Sequence, residues 1–166
     1  MRKIRHVSVS RLRKLFTYEP ITGVVRRLTT RNAGKVAGTK FSTGHLQVSV
    51  DGRMTGVHRI AWALHHGRYP KLEIDHINGN GADNRLCNLR LATSSQNNQN
   101  RKLSSRNKSG IKCVFRVKWG KRKAWRVSVG HDFGKYYITH FQHKKQAIKH
   151  ATEMRAKLHD QFARAV

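Results

Sequence analysis

The chain has 166 residues, with 35 Lys and Arg against 8 Asp and Glu, a formal charge of +27 and a pI near 11.5. That length accommodates one ordinary domain or two or three small ones. Charge of this density repels itself in the compact state and is explained most simply by a polyanionic partner, nucleic acid above all. No apolar run approaches the ~20 residues of a membrane span, and no single amphipathic helix gathers the basic residues, so a membrane partner is not expected. Met1 to His6 lead into no apolar core of the kind a secretory signal requires. Cys87 and Cys113 have no partner in CxxC spacing, which suits free thiols in a reducing cytoplasm and argues against a structural zinc.

In chain order, Ser8 to Leu15 reads as a short helix with Ser8 or Ser10 as N-cap and Leu12, Leu15 and Phe16 as its apolar face, ended by Pro20 and Gly23. Period-2 patterns follow at Val24-Val25 and at Leu46 to Val50. Asp51-Gly52 then predicts a hairpin turn into Met54 to Val57. His58 to His65 reads as a helix with Ile60, Ala61 and Leu64 inward, and Trp62 is expected to pack beneath the segment that follows. Leu72 to His76 reads as a strand, Asn78 to Gly81 as a turn, and Leu89 to Ala92 as the return strand. Thr93 then caps a short helix with Gln96 in the capping-box position. Arg101 to Ser109 is polar, basic and aperiodic, as a linker lying along phosphates would be. Beyond Gly110, three strands (Ile111 to Trp119, Ala124 to Val129, Tyr136 to Phe141) precede a helix from about His143 that carries Ala147, Ile148, Ala151, Met154, Leu158 and Phe162 at helical spacing.

Charge is distributed unevenly along this order. Residues 1–71 carry 15 basic and 2 acidic residues and residues 101–166 carry 18 and 3, whereas the window 72–100 carries 2 and 3. Two basic flanks therefore surround a neutral-to-acidic centre. Within it lie Asp75, His76, Asn88 and Asn97. Phosphodiester hydrolysis needs a base for water and positive charge near the scissile phosphate. His76 is the window's residue that titrates near neutrality. Asp75 can supply an anionic metal oxygen, and the amide of Asn88 or Asn97 a neutral one, a hard shell suited to Mg²⁺ or Mn²⁺. Neighbours in a regular strand face opposite ways, so Asp75 and His76 predict a bend or strand end. Asn80, Asp83 and Asn84 read as turn residues.

Asp75-His76, the Asn78-Gly79 loop, Asn88-Leu89-Arg90 and Gln96 to Asn100 resemble the ββα-metal motif of HNH endonucleases, closest to phage-type homing enzymes whose final histidine is replaced by asparagine. The resemblance implies His76 as general base, Asp75 and Asn97 as metal ligands, and Asn88 as the asparagine that braces the hairpin and orients the histidine. Asn107 to Val114, Trp119-Gly120 and Trp125-Arg126-Val127 resemble the AP2 type of DNA-binding domain, in which a three-stranded sheet backed by one helix reads the major groove. Two positions depart from that family: Cys113 stands where it usually has glycine, and His140 replaces the glycine before the aromatic Phe141. Lys112, Arg116, Lys118, Lys121, Arg122, Lys123, Arg126 and Lys135 are expected to stud one sheet face and its turns, with Val114, Trp125 and Val127 in the core. Arg90, Arg101 and Lys102 complete the expected DNA contacts.

The expectation is thus an α+β chain in three parts. Residues 1–100 form a small β-rich segment leading into an HNH motif at 72–100, residues 101–109 a basic linker, and residues 110–166 an AP2-like domain. Its expected activity is metal-dependent, site-specific cleavage of double-stranded DNA in the cytoplasm (the host's, if phage-encoded), with Mg²⁺ or Mn²⁺ and no protein partner required. The alternatives are a non-catalytic DNA-binding regulator built from the same parts, and an RNA binder, which explains the charge but not the quartet.

Overall fold

The structure, a computed structural model, describes residues 6–29, 31–120, 122–131 and 134–163. Met1 to Arg5 and Lys121, which entered the expectations above, lie outside the described residues. The fold is mixed α/β, with four helices and four small antiparallel sheets among the described residues. Its contacts divide it into two units, Met1–Ala92 and Thr93–Val166. The division falls ahead of the 101–109 segment in which the sequence suggested a boundary.

The first unit opens with α1 (Val9–Leu15), capped by the Ser8 hydroxyl accepting the Arg11 N–H at 3.2 Å. The helix ends at Leu15, as its pattern suggests, but neither Pro20 nor Gly23 ends it, and Phe16 lies beyond it. The chain passes directly into β1 (Phe16–Glu19), and Pro20 and Gly23 instead belong to the turn that joins β1 to β2 (Val24–Arg27). Phe16, Thr17 and Tyr18 are strand formers, and Phe16 is buried in the core from β1 rather than from the helix face. β3 (Thr39–Lys40), β4 (Leu46–Val50) and β5 (Arg53–Gly56) form a second sheet. The β4–β5 turn has Asp51 and Gly52 both at positive φ (47° and 77°), the primed type that matches strand twist. α2 (Val57–His66) ends on Gly67 at φ 68°, a left-handed cap.

α2 buries Ile60, Ala61 and Ala63 against Leu12, Phe16, Val25, Val48 and Val50, while Trp62 and Leu64 are half-buried at the edge of this core. Each fully buried Leu, Ile, Val or Phe side chain stabilises by roughly 1.5–3 kcal/mol. Ile74 and Leu89 extend the same core into β6 (Glu73–His76) and β7 (Leu89–Ala92), which pair with Asp75 opposite Arg90 and His76 opposite Leu89.

The second unit begins with α3 (Ser94–Asn100), whose N-terminus carries the reciprocal Thr93–Gln96 capping box. β8 (Val114–Trp119), β9 (Arg122–Gly130) and β10 (Tyr136–Phe141) form an antiparallel sheet in the order β10-β9-β8. β8 starts later than the sequence pattern suggested because Cys113 sits at φ 64°, a left-handed conformation no extended strand contains. α4 (Lys144–His159) covers one sheet face, where Val114, Val127, Val129, Ala147 and Ala151 form a second core.

Candidate active site

The β6–β7 hairpin places an acid and a histidine at a strand end. β6 stops at His76, and the chain turns at once, the Gly79 N–H donating to the His76 carbonyl at 2.7 Å. Asp75 and His76 are each 4% exposed. Across the register from Asp75, Arg90 donates from Nε to Asp75 Oδ2 at 2.8 Å, and its Nη2 lies 2.8 Å from the same oxygen. Arg90, expected among the DNA contacts, is therefore turned inward. A buried carboxylate needs a positive or hydrogen-bonding partner, and the residue directly opposite supplies one.

His76 Nε2 lies 3.1 Å from Asn84 Oδ1. An amide oxygen only accepts, so Nε2 carries the proton and Nδ1 the lone pair. Asn84 is 2% exposed and is held by its surroundings. Tyr18 Oη donates to its carbonyl at 2.8 Å, and the Leu86 N–H donates to the Pro20 carbonyl at 2.9 Å. At Gly23, on the same β1–β2 turn, an added Cβ would come within 2.4 Å of the Arg85 nitrogen. The N-terminal hairpin thus clamps the loop that fixes the imidazole. Asn84 read as a turn residue in sequence; its distance from His76 along the chain hid a side-chain bond across the loop.

Asn88 ties the same loop internally. Its Oδ1 accepts the Asn78 N–H at 2.9 Å, and its Nδ2 donates to the Asp83 carbonyl at 2.8 Å and to Asn78 Oδ1 at 3.1 Å. Hydrogen bonds from the Arg85 side chain, chiefly, hold the Asp83 carboxyl down to about 2. Two further histidines pack on His76: the rings of His45, His58 and His76 form a triangle with centroids 5.3 to 5.4 Å apart. Burial is the main cause that lowers the His76 pKa below 6.5, opposed by the Asn84 bond. Burial, with His76 and His45 beside it, pushes His58 down to about 3. Burial therefore favours the neutral imidazole of His76. His45 and His58 went unassigned in sequence because nothing in local spacing links a hairpin, a helix start and a strand end.

Asn97 lies on α3 in the second unit, half-buried, its N–H bonded to the Thr93 carbonyl. Arg101 and Lys102 follow α3 and are exposed. The sheet register corrects the expectation that the basic residues share one face. Arg116, Lys118 and Lys123 fall on the face of Val114 and Val127, toward α4, whereas Arg122 and Arg126 lie on the opposite face. Arg116 and Lys144 flank the Trp125 ring at 5.9 and 5.4 Å. Lys112 is half-buried beside the strained Cys113. Among the described residues no group of three or more His, Cys, Asp or Glu side chains is placed to hold a metal ion. No helix among the described residues is long and apolar enough to cross a membrane.

Residues 55–99 match the HNH endonuclease family, a segment that contains His58, Asp75, His76, Asn84, Asn88, Arg90 and Asn97. The site therefore belongs to an HNH nuclease-type domain. Over 109 residues the chain is 36% identical to Protein 3.8 of Escherichia phage T7, covering 64% of this chain and 87% of that protein, and it belongs to the same family. No solved structure matches the chain.

Proposed function

We propose that this chain is a metal-dependent, site-specific DNA endonuclease of the phage homing type, in which His76 is the general base. The observation that carries the reading is the buried His76, protonated on Nε2 by its bond to Asn84 and adjacent to Asp75, inside the segment that matches HNH endonucleases. Burial favours the neutral imidazole, so Nδ1 can take a proton from water as that water attacks phosphorus in line and the 3′ oxygen departs. Asn88 and Asn84 hold the loop and ring so that the acceptor nitrogen keeps one orientation. Asp75 and Asn97 are the residues that would hold Mg²⁺ or Mn²⁺, which when bound supplies positive charge for the phosphate and leaving oxygen.

Residues 1–100 act as the nuclease part, 101–109 as a basic tether, and 110–166 as an AP2-like DNA-binding part. The left-handed φ of Cys113, where that family usually has glycine, supports the last assignment. Arg101, Lys102, Lys112, Arg116, Lys118, Lys121, Arg122, Lys123 and Arg126 contribute to holding double-stranded DNA, mostly through phosphates.

The test is incubation of purified protein with DNA under Mg²⁺ titration. The wild type should nick or cut, and Asp75→Ala should lose the metal dependence. A normal Mg²⁺ titration in that variant would remove Asp75 from the ligand set. One observation favours a second reading, a non-catalytic DNA-binding regulator: Asp75 Oδ2 is engaged by Arg90. Under that reading DNA is bound but not cut at any Mg²⁺ or Mn²⁺ concentration.

A further inference from the structure

One face of the β8–β9–β10 sheet packs on α4, and the other carries aromatic and apolar side chains that are open to solvent. The register assigns Phe115, Val117 and Trp119 of β8, Arg122, Ala124, Arg126 and Ser128 of β9, and Tyr136, Ile138 and His140 of β10 to this second face. Phe115 is 38% exposed, Trp119 59%, Tyr136 65% and Ile138 54%. So large an apolar display on a chain of charge +27 calls for a partner that is at once anionic and flat-faced.

At one end the face continues into a cleft of about 560 Å³ within the same unit, on the scale of pockets that enclose small ligands. Phe115, Ser128 and Tyr136 line it, and Arg101, Lys102, Arg106 and Lys135 line it as well, all four of them exposed cations. Among the described residues no acidic side chain lines it. Ser128, the small central residue, leaves room between the rings of the outer strands. The Tyr136 ring lies over Gly130, where an added Cβ would come within 3.2 Å of it. The guanidinium of Arg126 stands 5.4 Å from the Phe115 ring centroid, and its buried Nε has no hydrogen-bond partner among the described residues. At the far end of the face, the Trp119 and His140 rings meet at a tilt, with centroids 4.7 Å apart.

We propose that this face and its cleft bind single-stranded DNA, with unpaired bases stacking on Phe115 and Tyr136 and phosphates held by Arg101, Lys102, Arg106 and Lys135. Unpaired bases present π-faces to aromatic rings, while a cationic wall follows the backbone. A duplex keeps those π-faces inside its stack and offers phosphates and base edges, which the rings of Phe115 and Tyr136 and the side chain of Ile138 do not match as stacking or apolar surfaces. The inference rests on the DNA-binding part of the proposed function but not on cleavage, and it gives Arg101 and Lys102 to an unpaired stretch of the bound DNA, leaving the remaining cations of the proposed function to its duplex.

The test measures fluorescence anisotropy with the full chain in EDTA, which prevents cutting. The probes are a labelled thymidine 20-mer, a uridine 20-mer and a duplex of equal length, each over a salt series. The thymidine oligomer should bind at least tenfold tighter than the duplex. Phe115→Ala and Tyr136→Ala should each weaken it by roughly 5- to 150-fold, the range for one lost base stack, with duplex binding changed less than about twofold. Phe115→Leu keeps the apolar bulk without the ring and should lose affinity like the alanine variant, with circular dichroism confirming the fold. Tighter duplex than single-strand binding, equal losses on both probes, no loss in the variants, or tighter uridine than thymidine binding would each overturn the proposal. Intact duplex binding with weak single-strand binding would refute this inference alone, whereas no binding to any DNA would refute the proposed function as well.

Discussion

Replacing Arg90 by methionine removes the guanidinium that lies opposite the Asp75 carboxylate, and the structure sets the scale of the effect. Nε and Nη2 of Arg90 both reach Asp75 Oδ2 at 2.8 Å, with side-chain exposures of 14% and 4%. At that separation the gross attraction is about 6 kcal/mol for an effective dielectric of ~20, before desolvation is counted. Truncating one partner of a buried pair costs about 3–5 kcal/mol, because an uncompensated charge is left behind. That is a large share of the roughly 5–15 kcal/mol that holds a domain folded. Urea unfolding of wild type, Arg90→Met, Asp75→Leu and the double variant closes the cycle. The double variant should recover most of the loss, since an apolar pair of similar volume replaces the ions. If Asp75 holds a divalent cation, Arg90→Met should also gain more stability from millimolar Mg²⁺ than the wild type, because the competing guanidinium is gone. A loss below about 1 kcal/mol would refute the buried-pair reasoning, and absence of a differential Mg²⁺ gain would refute Asp75 as a ligand.

Other positions give independent expectations. The His58 pKa is depressed to about 3, so between that pH and 6.5 the unfolded chain binds the extra proton. Stability should fall as pH drops through this window, by up to about 1.4 kcal/mol per pH unit, and His58→Phe should flatten the slope in urea titrations. Gly23→Ala forces its Cβ against the Asn84–Arg85 backbone at φ 75°, so stability should fall by at least about 1 kcal/mol and any DNA cleavage should fall with it, through a displaced Asn84; unchanged thermal unfolding would contradict the clamp. Cys113→Gly relieves a left-handed residue and should stabilise the chain by about 1 kcal/mol in chemical denaturation, whereas Cys113→Val should destabilise it.

Much of the local structure was legible because it rests on local chemistry. Ser8, Asp51-Gly52, and Thr93 with Gln96 each declare a cap or turn through their own hydrogen bonds or allowed φ, and the structure contains all three. The strand Phe16–Glu19 was not legible, because it exists only through pairing with Val24–Arg27 and burial of Phe16. At the candidate site the sequence brought forward Asp75, His76, Asn88 and Asn97, but Asn84, His45 and His58 meet His76 only through tertiary packing. Arg90 illustrates the same limit. Its charge suggested phosphate, and its position across the ladder from Asp75 directs it inward. The distribution of cations over two faces of the C-terminal sheet likewise depends on register, which composition does not carry.

The most direct measurement compares wild-type protein with His76→Ala on the same DNA in Mg²⁺, scoring both cleavage and binding. The account predicts that the wild type cuts, and that the variant retains DNA affinity while cleavage falls by a factor of about 10² or more, the loss expected for a missing general base. Cleavage by His76→Ala at the wild-type rate would contradict it.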